Sequence, residues 1–143
     1  MGKKDIPRDV TQAALYLVRG QSARRQRYNS RWDTIMQKAK TALGAKDAEG
    51  LRALEAETEA ALVRLENLRE TQIMRAVDAA ADAVGADLPR PIREKLYAAL
   101  WKNCEDGRRW RYEVLDVPSI SRAEFYRRKR EFLRDVAEKC GIW

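Results

Sequence analysis

The sequence contains no histidine and only two cysteines among its 143 residues. Histidine is the usual general base and a frequent metal ligand near neutral pH, so its absence argues against most hydrolytic and metal-dependent active sites. Cys104 and Cys140 lie far apart and form no C-x-x-C motif, which gives no support to a zinc or redox site. Gly-rich phosphate loops and other short catalytic motifs are also missing. We therefore predict a protein that is not an enzyme and uses no cofactor and no metal.

Long apolar runs are missing as well. The sequence has no stretch of about 18 or more apolar residues, and its N-terminus lacks the apolar core of a signal peptide. We expect no membrane partner and a reducing, cytoplasmic location. Only four prolines and seven glycines interrupt the chain, and no strand pattern is visible beside the helical spacing of apolar residues. The predicted fold is all-α, with a long helical hairpin or coiled-coil-like segment followed by a C-terminal helix-turn-helix.

The charge of the chain is positive but unevenly distributed. The formal net charge is +7 and the sequence pI is about 9.6, which favours a polyanionic partner. Residues 1–46 carry 11 basic and 3 acidic side chains, whereas residues 47–87 carry 4 basic and 10 acidic ones. The basic character returns after a proline-containing corner at residues 88–91. We therefore expect two regions, 1–87 with the basic N-terminal helices and a long acidic helix, and 88–143 with the helix-turn-helix.

The N-terminal part of the chain predicts two helices. The first is expected from a cap at Asp9 or Thr11 to about Val18, and the second over about residues 22–43. Six apolar or aromatic residues are expected on the buried face of the second helix: Tyr28, Trp32, Ile35, Met36, Ala39 and Leu43. Its lysines and arginines either bind nucleic-acid phosphates or form a solvated face without a binding role, and the sequence does not decide between these two interpretations.

A longer helix is predicted from an N-cap at Asp47 to about Val84. Small and apolar residues step by three and four along its first part, as in a coiled-coil seam: Leu51, Leu54, Thr58, Ala61, Leu65 and Leu68. The apolar pattern then shifts by one residue. A seam this short favours a hairpin within the chain, with pairing between two copies in a homodimer as the alternative. Acidic residues beside the seam should keep this helix away from DNA.

The C-terminal region has the pattern of a helix-turn-helix motif. We expect its first helix over Arg108–Leu115, with Trp110 and Val114 facing inward, and a tight turn at Asp116–Ser119. The second helix begins at a strong N-cap, Ser121, since a glutamate three residues later completes a capping box.

This second helix combines an apolar face with a basic one. Its apolar residues recur at helical spacing: Phe125, Phe132, Leu133, Val136 and Cys140. Arginines and one tyrosine lie largely off this stripe. A capped helix that follows a tight turn is typical of the element that a helix-turn-helix protein places in the major groove of DNA. The alternative is a solvated basic helix that closes a helical bundle.

The segment ISRAEFYRRKREFLRDVAEKCGI resembles the C-terminal part of phage late-gene transcriptional activators of the RinA/ArpU type. The residues that carry the resemblance are Ile120, Ser121, Phe125, Tyr126, Arg127, Arg128, Lys129, Gly141 and Ile142. The similarity extends over about residues 73–143. It implies a helix-turn-helix similar to region four of sigma factors, a phage or prophage late-gene activator, and recruitment of RNA polymerase.

The position of each basic residue in this motif predicts its role. Ser121 opens the recognition helix, and Arg122, Tyr126 and Arg127 lie in its early turns, where side chains reach base edges. A second group is expected to bind phosphates and to contribute affinity rather than specificity: Arg108, Arg109, Arg111, Arg128, Arg130 and Arg134. The predicted function is a sequence-specific regulator that binds double-stranded DNA.

Two other classes of protein fit the same sequence. A small terminase-like DNA-packaging adaptor would also combine a helix-turn-helix with a helical hairpin, and would form a ring of many subunits. A protein-binding helical module, such as an antirepressor, would use the same helices without binding DNA. A mass in solution equal to that of many subunits would identify the packaging adaptor. Failure to bind duplex DNA at low salt would identify the protein-binding module.

Overall fold

The structure is a computed structural model that describes residues 6–44 and 47–143. These residues form α-helices and one short 3-10 helix at Tyr112–Val114, with no β-strand among them. The predicted all-α fold is therefore confirmed. The α-helices follow one another in this order: α1 Arg8–Arg19, α2 Gln21–Leu43, α3 Ala48–Glu66, α4 Arg69–Ala83, α5 Arg90–Glu105 and α6 Arg122–Lys139.

Helix α1 begins earlier than the sequence suggested. Pro7 is its N-cap residue, and the Thr11 hydroxyl donates a hydrogen bond to the Pro7 carbonyl at 3.2 Å. Asp9, one of the two predicted caps, lies instead in the first turn, where a negative charge interacts favourably with the helix dipole. Only Gly20 separates α1 from α2.

The prediction of one long helix up to Val84 is wrong, because the helix is interrupted between α3 and α4. Asn67 ends α3, and the Leu68 N–H bonds the Leu65 carbonyl at 3.3 Å, three residues back rather than four. The break coincides with the shift in the apolar pattern. In a helix, an offset of one residue turns the apolar stripe by about 100°. A continuous helix would therefore point the two stripes in different directions.

The chain is organised as two compact units whose boundaries differ from the expected division at residues 87 and 88. One unit consists of Ser22–Met74, and the other combines the described residues up to Gln21 with Arg75–Trp143. The sequence did not indicate this division because α1 joins the C-terminal helices through contacts that are distant in sequence. Helix α1 packs mainly against α6 and also contacts α5.

In the Ser22–Met74 unit, α2 and α3 run antiparallel and pair within the chain. Tyr28 donates its hydroxyl hydrogen to Glu66 Oε1 at 2.5 Å near the base of the pair, while Leu43 and Leu51 line one groove near its tip. The predicted cap of α3 is confirmed, because the side chain of Asp47 accepts a hydrogen bond from the Gly50 N–H at 2.7 Å. We call this pair of helices the hairpin.

The apolar face of α2 is less buried than predicted. Trp32 and Leu43 are 41% and 58% exposed, so the expectation that they are buried is wrong. Ile35 and Met36 are half-buried. The physical reason is that a pair of helices forms a single layer, and a single layer covers only part of the apolar surface of each helix.

The other unit has a continuous apolar core. Its buried residues come from α1, α4, α5 and α6 and from the segment before α6: Ala14, Val18, Val77, Ala80, Ala81, Val84, Leu96, Ala99, Leu100, Cys104, Val117, Ile120, Phe125, Phe132, Leu133, Val136, Ala137 and Cys140. Polar contacts add to this packing, since the Arg19 Nε donates to the Cys104 carbonyl at 2.9 Å. Gln21 Nε2 also donates to Asp78 Oδ1 at 3.0 Å. The prediction that Cys140 is a core residue agrees with its burial.

We expect Gly85→Ala to destabilise the protein by about 2–3 kcal/mol. Gly85 has a φ of +68°, and an added Cβ would lie 3.0 Å from Arg93 Cγ and 3.4 Å from Leu96 Cδ2. Gly141 is the matched control, because its φ is +75° but nothing lies within 4 Å of an added Cβ. Gly141→Ala should therefore cost only the backbone strain, about 1 kcal/mol. Urea unfolding of both variants measures the difference, and equal losses would contradict the packing argument.

No helix in the described parts of the chain is both long enough and apolar enough to cross a membrane.

Candidate nucleic-acid interface

The segment between α5 and α6 differs from the predicted first helix of a helix-turn-helix. The predicted helix Arg108–Leu115 is wrong, because only the 3-10 helix Tyr112–Val114 forms there. Trp110 is half-buried, but Val114 is 54% exposed rather than inward-facing. Two α-helices joined by a turn of about three or four residues are therefore not present at this position.

Asp106 explains why the chain does not continue as a helix after α5. Its Oδ1 atom accepts hydrogen bonds from the backbone N–H groups of Arg108 and Arg109, both at 3.2 Å. Aspartate side chains that bind nearby N–H groups in this way stabilise turns and compete with helical hydrogen bonds. We call residues 106–121 the arginine loop, since they contain three closely spaced arginines before α6.

The arginine loop is anchored to α5 through Trp110. The buried Asn103 side chain donates its amide hydrogen to the Trp110 carbonyl at 2.7 Å. Lys102 Nζ lies 4.8 Å from the centroid of the Trp110 ring, and the Arg109 guanidinium carbon lies 5.0 Å from it. Such cation–π contacts are typically favourable by about 0.5–1 kcal/mol at exposed sites. The first part of the loop therefore has a defined position relative to α5.

The second part of the arginine loop is anchored to α6 through aromatic residues. Tyr112 donates its hydroxyl hydrogen to the Ile120 carbonyl, and its ring lies 5.7 Å from that of Phe125. The Tyr126 hydroxyl accepts a hydrogen bond from the Tyr112 N–H at 3.4 Å. Tyr126 is half-buried and contacts the Phe125 ring edge-on at 5.2 Å. Tyr126, which the sequence predicts to reach base edges, thus helps to hold the arginine loop against α6.

Helix α6 begins as the sequence predicted. The Ser121 side chain accepts a hydrogen bond from the Glu124 N–H at 3.2 Å, so the predicted N-cap is confirmed. The carboxylate of Glu124 binds Arg127 and Arg128. The Ser121 hydroxyl is therefore occupied by the cap.

Most arginines of α6 are bound to carboxylates. Arg122 Nε lies 2.9 Å from Glu113 Oε1, and its guanidinium carbon lies 5.2 Å from the centroid of the Tyr126 ring. Arg127 binds both Glu124 and Glu131. Arg134 binds Glu138 at 3.2 Å, with only 20% of its own side chain exposed.

Arg128 has a structural role that differs from its predicted phosphate contact. Its side chain is 11% exposed and donates two hydrogen bonds, of 2.9 and 2.8 Å, to the two oxygens of Asp87 between α4 and α5. It also binds Glu124 at 2.9 Å. The neighbouring Lys129 is half-buried, and this burial lowers its pKa. Arg128 therefore joins α6 to the connection between α4 and α5, and both cations are poorly placed to reach a polyanion.

The ion pairs of α6 also shift the pKa values of the acidic partners. Hydrogen bonds from Arg128 lower the pKa of Asp87 to about 2. Hydrogen bonds from Arg127, followed by those from Arg128, lower the pKa of Glu124 to about 2. Both carboxylates are therefore charged at neutral pH, and α6 presents alternating charges rather than a uniformly basic face.

Four of the predicted site arginines stay without a carboxylate partner in the described part of the chain. Arg108, Arg109, Arg111 and Arg130 are exposed and form no ion pair with the described residues. Arg130 lies one helical turn after Tyr126, and the Tyr126 hydroxyl binds the N–H of the residue that follows Arg111. The predicted site arginines without a carboxylate partner among the described residues are thus the three of the arginine loop, which precedes α6, and Arg130 in the middle of α6.

The basic residues of α2 are less available than their number suggests. Arg24 is buried, and Arg27 and Arg31 both bind Glu70. Lys38 and Lys40 are exposed. The described residues contain no cluster of three or more Cys, Asp or Glu side chains that could hold a metal ion.

In comparisons with known proteins, no protein family, no curated protein and no solved structure matches this chain.

Proposed function

We propose that this protein binds double-stranded DNA and acts as a transcriptional regulator. The observation that supports this proposal most strongly is the arginine loop. Arg108 and Arg111 have no carboxylate partner among the described residues, and the loop that carries them is anchored at both ends. A cation that is already positioned and not neutralised binds a phosphate without first losing another partner. The proposed phosphate-binding residues are Arg108, Arg109, Arg111 and Arg130.

Sequence discrimination in this proposal comes from the N-terminal turns of α6. Arg122 and Arg127 are 66% and 46% exposed, and their carboxylate partners are exposed to a similar degree. Solvent-exposed ion pairs contribute only about 0–1 kcal/mol. Arg122 can therefore leave Glu113, and Arg127 can leave Glu124 and Glu131, at a small cost in free energy. The freed arginine then donates hydrogen bonds to the O6 and N7 atoms of a guanine. Arg128 has no part in this readout, because it is bound to Asp87.

The biological role in the proposal follows from the resemblance of the C-terminal segment to phage late-gene activators of the RinA/ArpU type. A protein of that kind binds near a promoter and recruits RNA polymerase through another surface. The chain geometry supports a DNA-binding surface in the unit that contains α6, and it leaves the Ser22–Met74 unit for contact with another protein. Recruitment of polymerase is accordingly the proposed mechanism of activation.

The test is a salt titration of binding to a fluorescent DNA duplex, with a triple variant of Arg108, Arg109 and Arg111, each replaced by alanine. Each phosphate contact adds about 0.9 to the slope of log affinity against log salt concentration. We expect the slope to fall by about 2–3 in the triple variant, because up to three contacts are lost. Affinity at low salt should fall for cognate and random duplexes alike.

A triple variant of Arg8, Arg52 and Arg90 is the matched control, because it removes the same charge from exposed positions outside the arginine loop. Its salt slope should stay close to that of the wild type. Equal slopes for all three proteins would refute the role of the loop. Selection from a random duplex pool then tests regulation, since a regulator enriches one sequence motif. Failure to bind any duplex at low salt would favour a protein-binding module.

A further inference from the structure

In the described part of the chain, Arg122 is the only arginine of α6 that is well exposed and bound through a single nitrogen. Its Nε atom donates a hydrogen bond to Glu113 Oε1 at 2.9 Å, and 66% of its side chain is exposed. Its terminal nitrogens, Nη1 and Nη2, form no hydrogen bond with the described residues. The donors of a guanidinium form a rigid planar fork, so a bond at Nε leaves the outer edge with Nη1 and Nη2 open.

The other arginines of α6 do not share this combination. Arg127 uses Nε and both terminal nitrogens for two carboxylates, so it must break these bonds before it reaches a base. Arg128 also uses all three nitrogens. Arg134 bonds through Nε alone, but its side chain is only 20% exposed. Arg130 is exposed, but it forms no hydrogen bond with the described residues that would hold its guanidinium in place.

The carboxylate that binds Arg122 has a defined position. Glu113 lies in the 3-10 helix Tyr112–Val114, and the Tyr112 N–H donates a hydrogen bond to the Tyr126 hydroxyl at 3.4 Å. The pKa of Glu113 is lowered by a hydrogen bond from its own backbone N–H and then by the one from Arg122. The guanidinium carbon of Arg122 also lies 5.2 Å from the centroid of the Tyr126 ring. Arg122 is therefore held by a carboxylate of the arginine loop and by an aromatic ring of α6.

We propose that Glu113 is a positioning residue for base recognition, which holds Arg122 through Nε so that Nη1 and Nη2 bind the O6 and N7 atoms of one guanine. This inference rests on the proposed binding to double-stranded DNA. Arg122 can leave Glu113 at a small cost, but in this arrangement it does not need to. An arginine that is already ordered loses less side-chain freedom on binding than a mobile one. Sequence discrimination should then depend more on Arg122 than on Arg127.

The test compares the affinities of the full-length protein for two fluorescent duplexes of equal length. One duplex is enriched by the wild-type protein from a random pool, and the other has a random sequence. The ratio of the two affinities measures discrimination, because a change of charge affects both duplexes alike. Arg122→Ala should lower this ratio by about tenfold or more, since a bidentate contact with guanine is lost. Arg127→Ala should lower the ratio less.

The variants of Glu113 test its role directly. Glu113→Ala should lower the ratio by about three- to tenfold, because Arg122 is no longer held in place. Glu113→Gln should keep the ratio close to that of the wild type, since the amide oxygen can still accept the hydrogen bond from Arg122. In a protein that already carries Arg122→Ala, the change Glu113→Ala should not lower the ratio further.

Glu94→Ala is the matched control. Glu94 is 66% exposed and binds Arg90 at 3.0 Å, so its replacement also removes a negative charge and releases an arginine, but both residues lie on α5. Its ratio should equal that of the wild type.

Four results would overturn the role of Glu113 while DNA binding itself still stands. They are an unchanged or raised ratio in Glu113→Ala, a Glu113→Gln protein that is impaired as strongly as Glu113→Ala, a further loss from Glu113→Ala when Arg122 is already absent, and a larger loss in Arg127→Ala than in Arg122→Ala. Failure of the wild type to bind any duplex at low salt would overturn the proposed function and this inference together.

Discussion

Replacement of Phe125 by alanine is expected to lower the free energy of unfolding by about 3–5 kcal/mol. Phe125 is fully buried, and the centre of its ring lies 5.7 Å from that of Tyr112 and 5.2 Å from that of Tyr126. Loss of the side chain leaves a cavity and removes the support on which the arginine loop rests. A domain of this size is typically stable by about 5–15 kcal/mol, so the loss is a large fraction of the total.

Urea unfolding measures the loss, and limited digestion with trypsin locates it. Trypsin cleaves after arginine, so a loosened arginine loop should be cut at Arg108, Arg109 and Arg111 before the helices are cut. Tyr16→Ala is the control, because Tyr16 is 77% exposed and its removal should change stability by no more than about 0.5 kcal/mol. A Phe125→Ala protein with wild-type stability would contradict the packing described for the loop.

Arg128→Ala is expected to destabilise the protein by about 1–3 kcal/mol, because the largely buried side chain bonds two carboxylates and joins α6 to the connection between α4 and α5. Arg127→Ala is a stringent control at the adjacent position. Arg127 also binds two carboxylates, but both of them belong to α6 itself and its side chain is 46% exposed. Its loss should be less than about 1 kcal/mol. Similar losses for both variants would refute the structural role of Arg128.

The effect of Arg128 should depend on pH in a defined direction. The pKa of Asp87 is about 2 in the folded chain, below its ordinary value of about 3.9. The unfolded chain therefore binds a proton more tightly, and the contribution of this pair is complete above about pH 5. It is lost as the pH falls through about 4 towards 2. Urea unfolding over this range should show the difference between the wild type and Arg128→Ala becoming smaller at low pH.

The parts of the structure that the sequence predicted correctly depend on residues close together in the chain. The caps at Asp47 and Ser121 each require a side chain and an N–H group three residues later. The buried stripe of α6 follows from the helical spacing of Phe125, Phe132 and Val136. Such local patterns are readable because the helix fixes which side chains share a face.

The parts that the sequence did not predict depend on competition or on distant contacts. The arginine loop replaces a helix because the Asp106 side chain binds two backbone N–H groups that a helix would use otherwise. The sequence does not predict the bond between Arg128 and Asp87, because Asp87 lies 41 positions earlier in the chain. The ion pairs of Arg127 are easier to predict from the sequence, since Glu124 and Glu131 stand at positions i−3 and i+4 relative to it. Acidic residues at these positions indicate that α6 has a mixed rather than a basic face.

The packing of α1 against α6 has a consequence for the way this protein can be divided. Ala14 and Val18 are buried in the same unit as the C-terminal helices, although residues 22–74 separate them in sequence. A fragment that begins at residue 88 would retain the arginine loop and α6 but would lose this cover, and its uncovered apolar stripe would favour aggregation. We therefore do not expect the C-terminal region to fold correctly when it is separated from the rest of the chain. The hairpin thus interrupts the sequence of one folding unit. During synthesis, α1 cannot pack against α6 until α6 has been made.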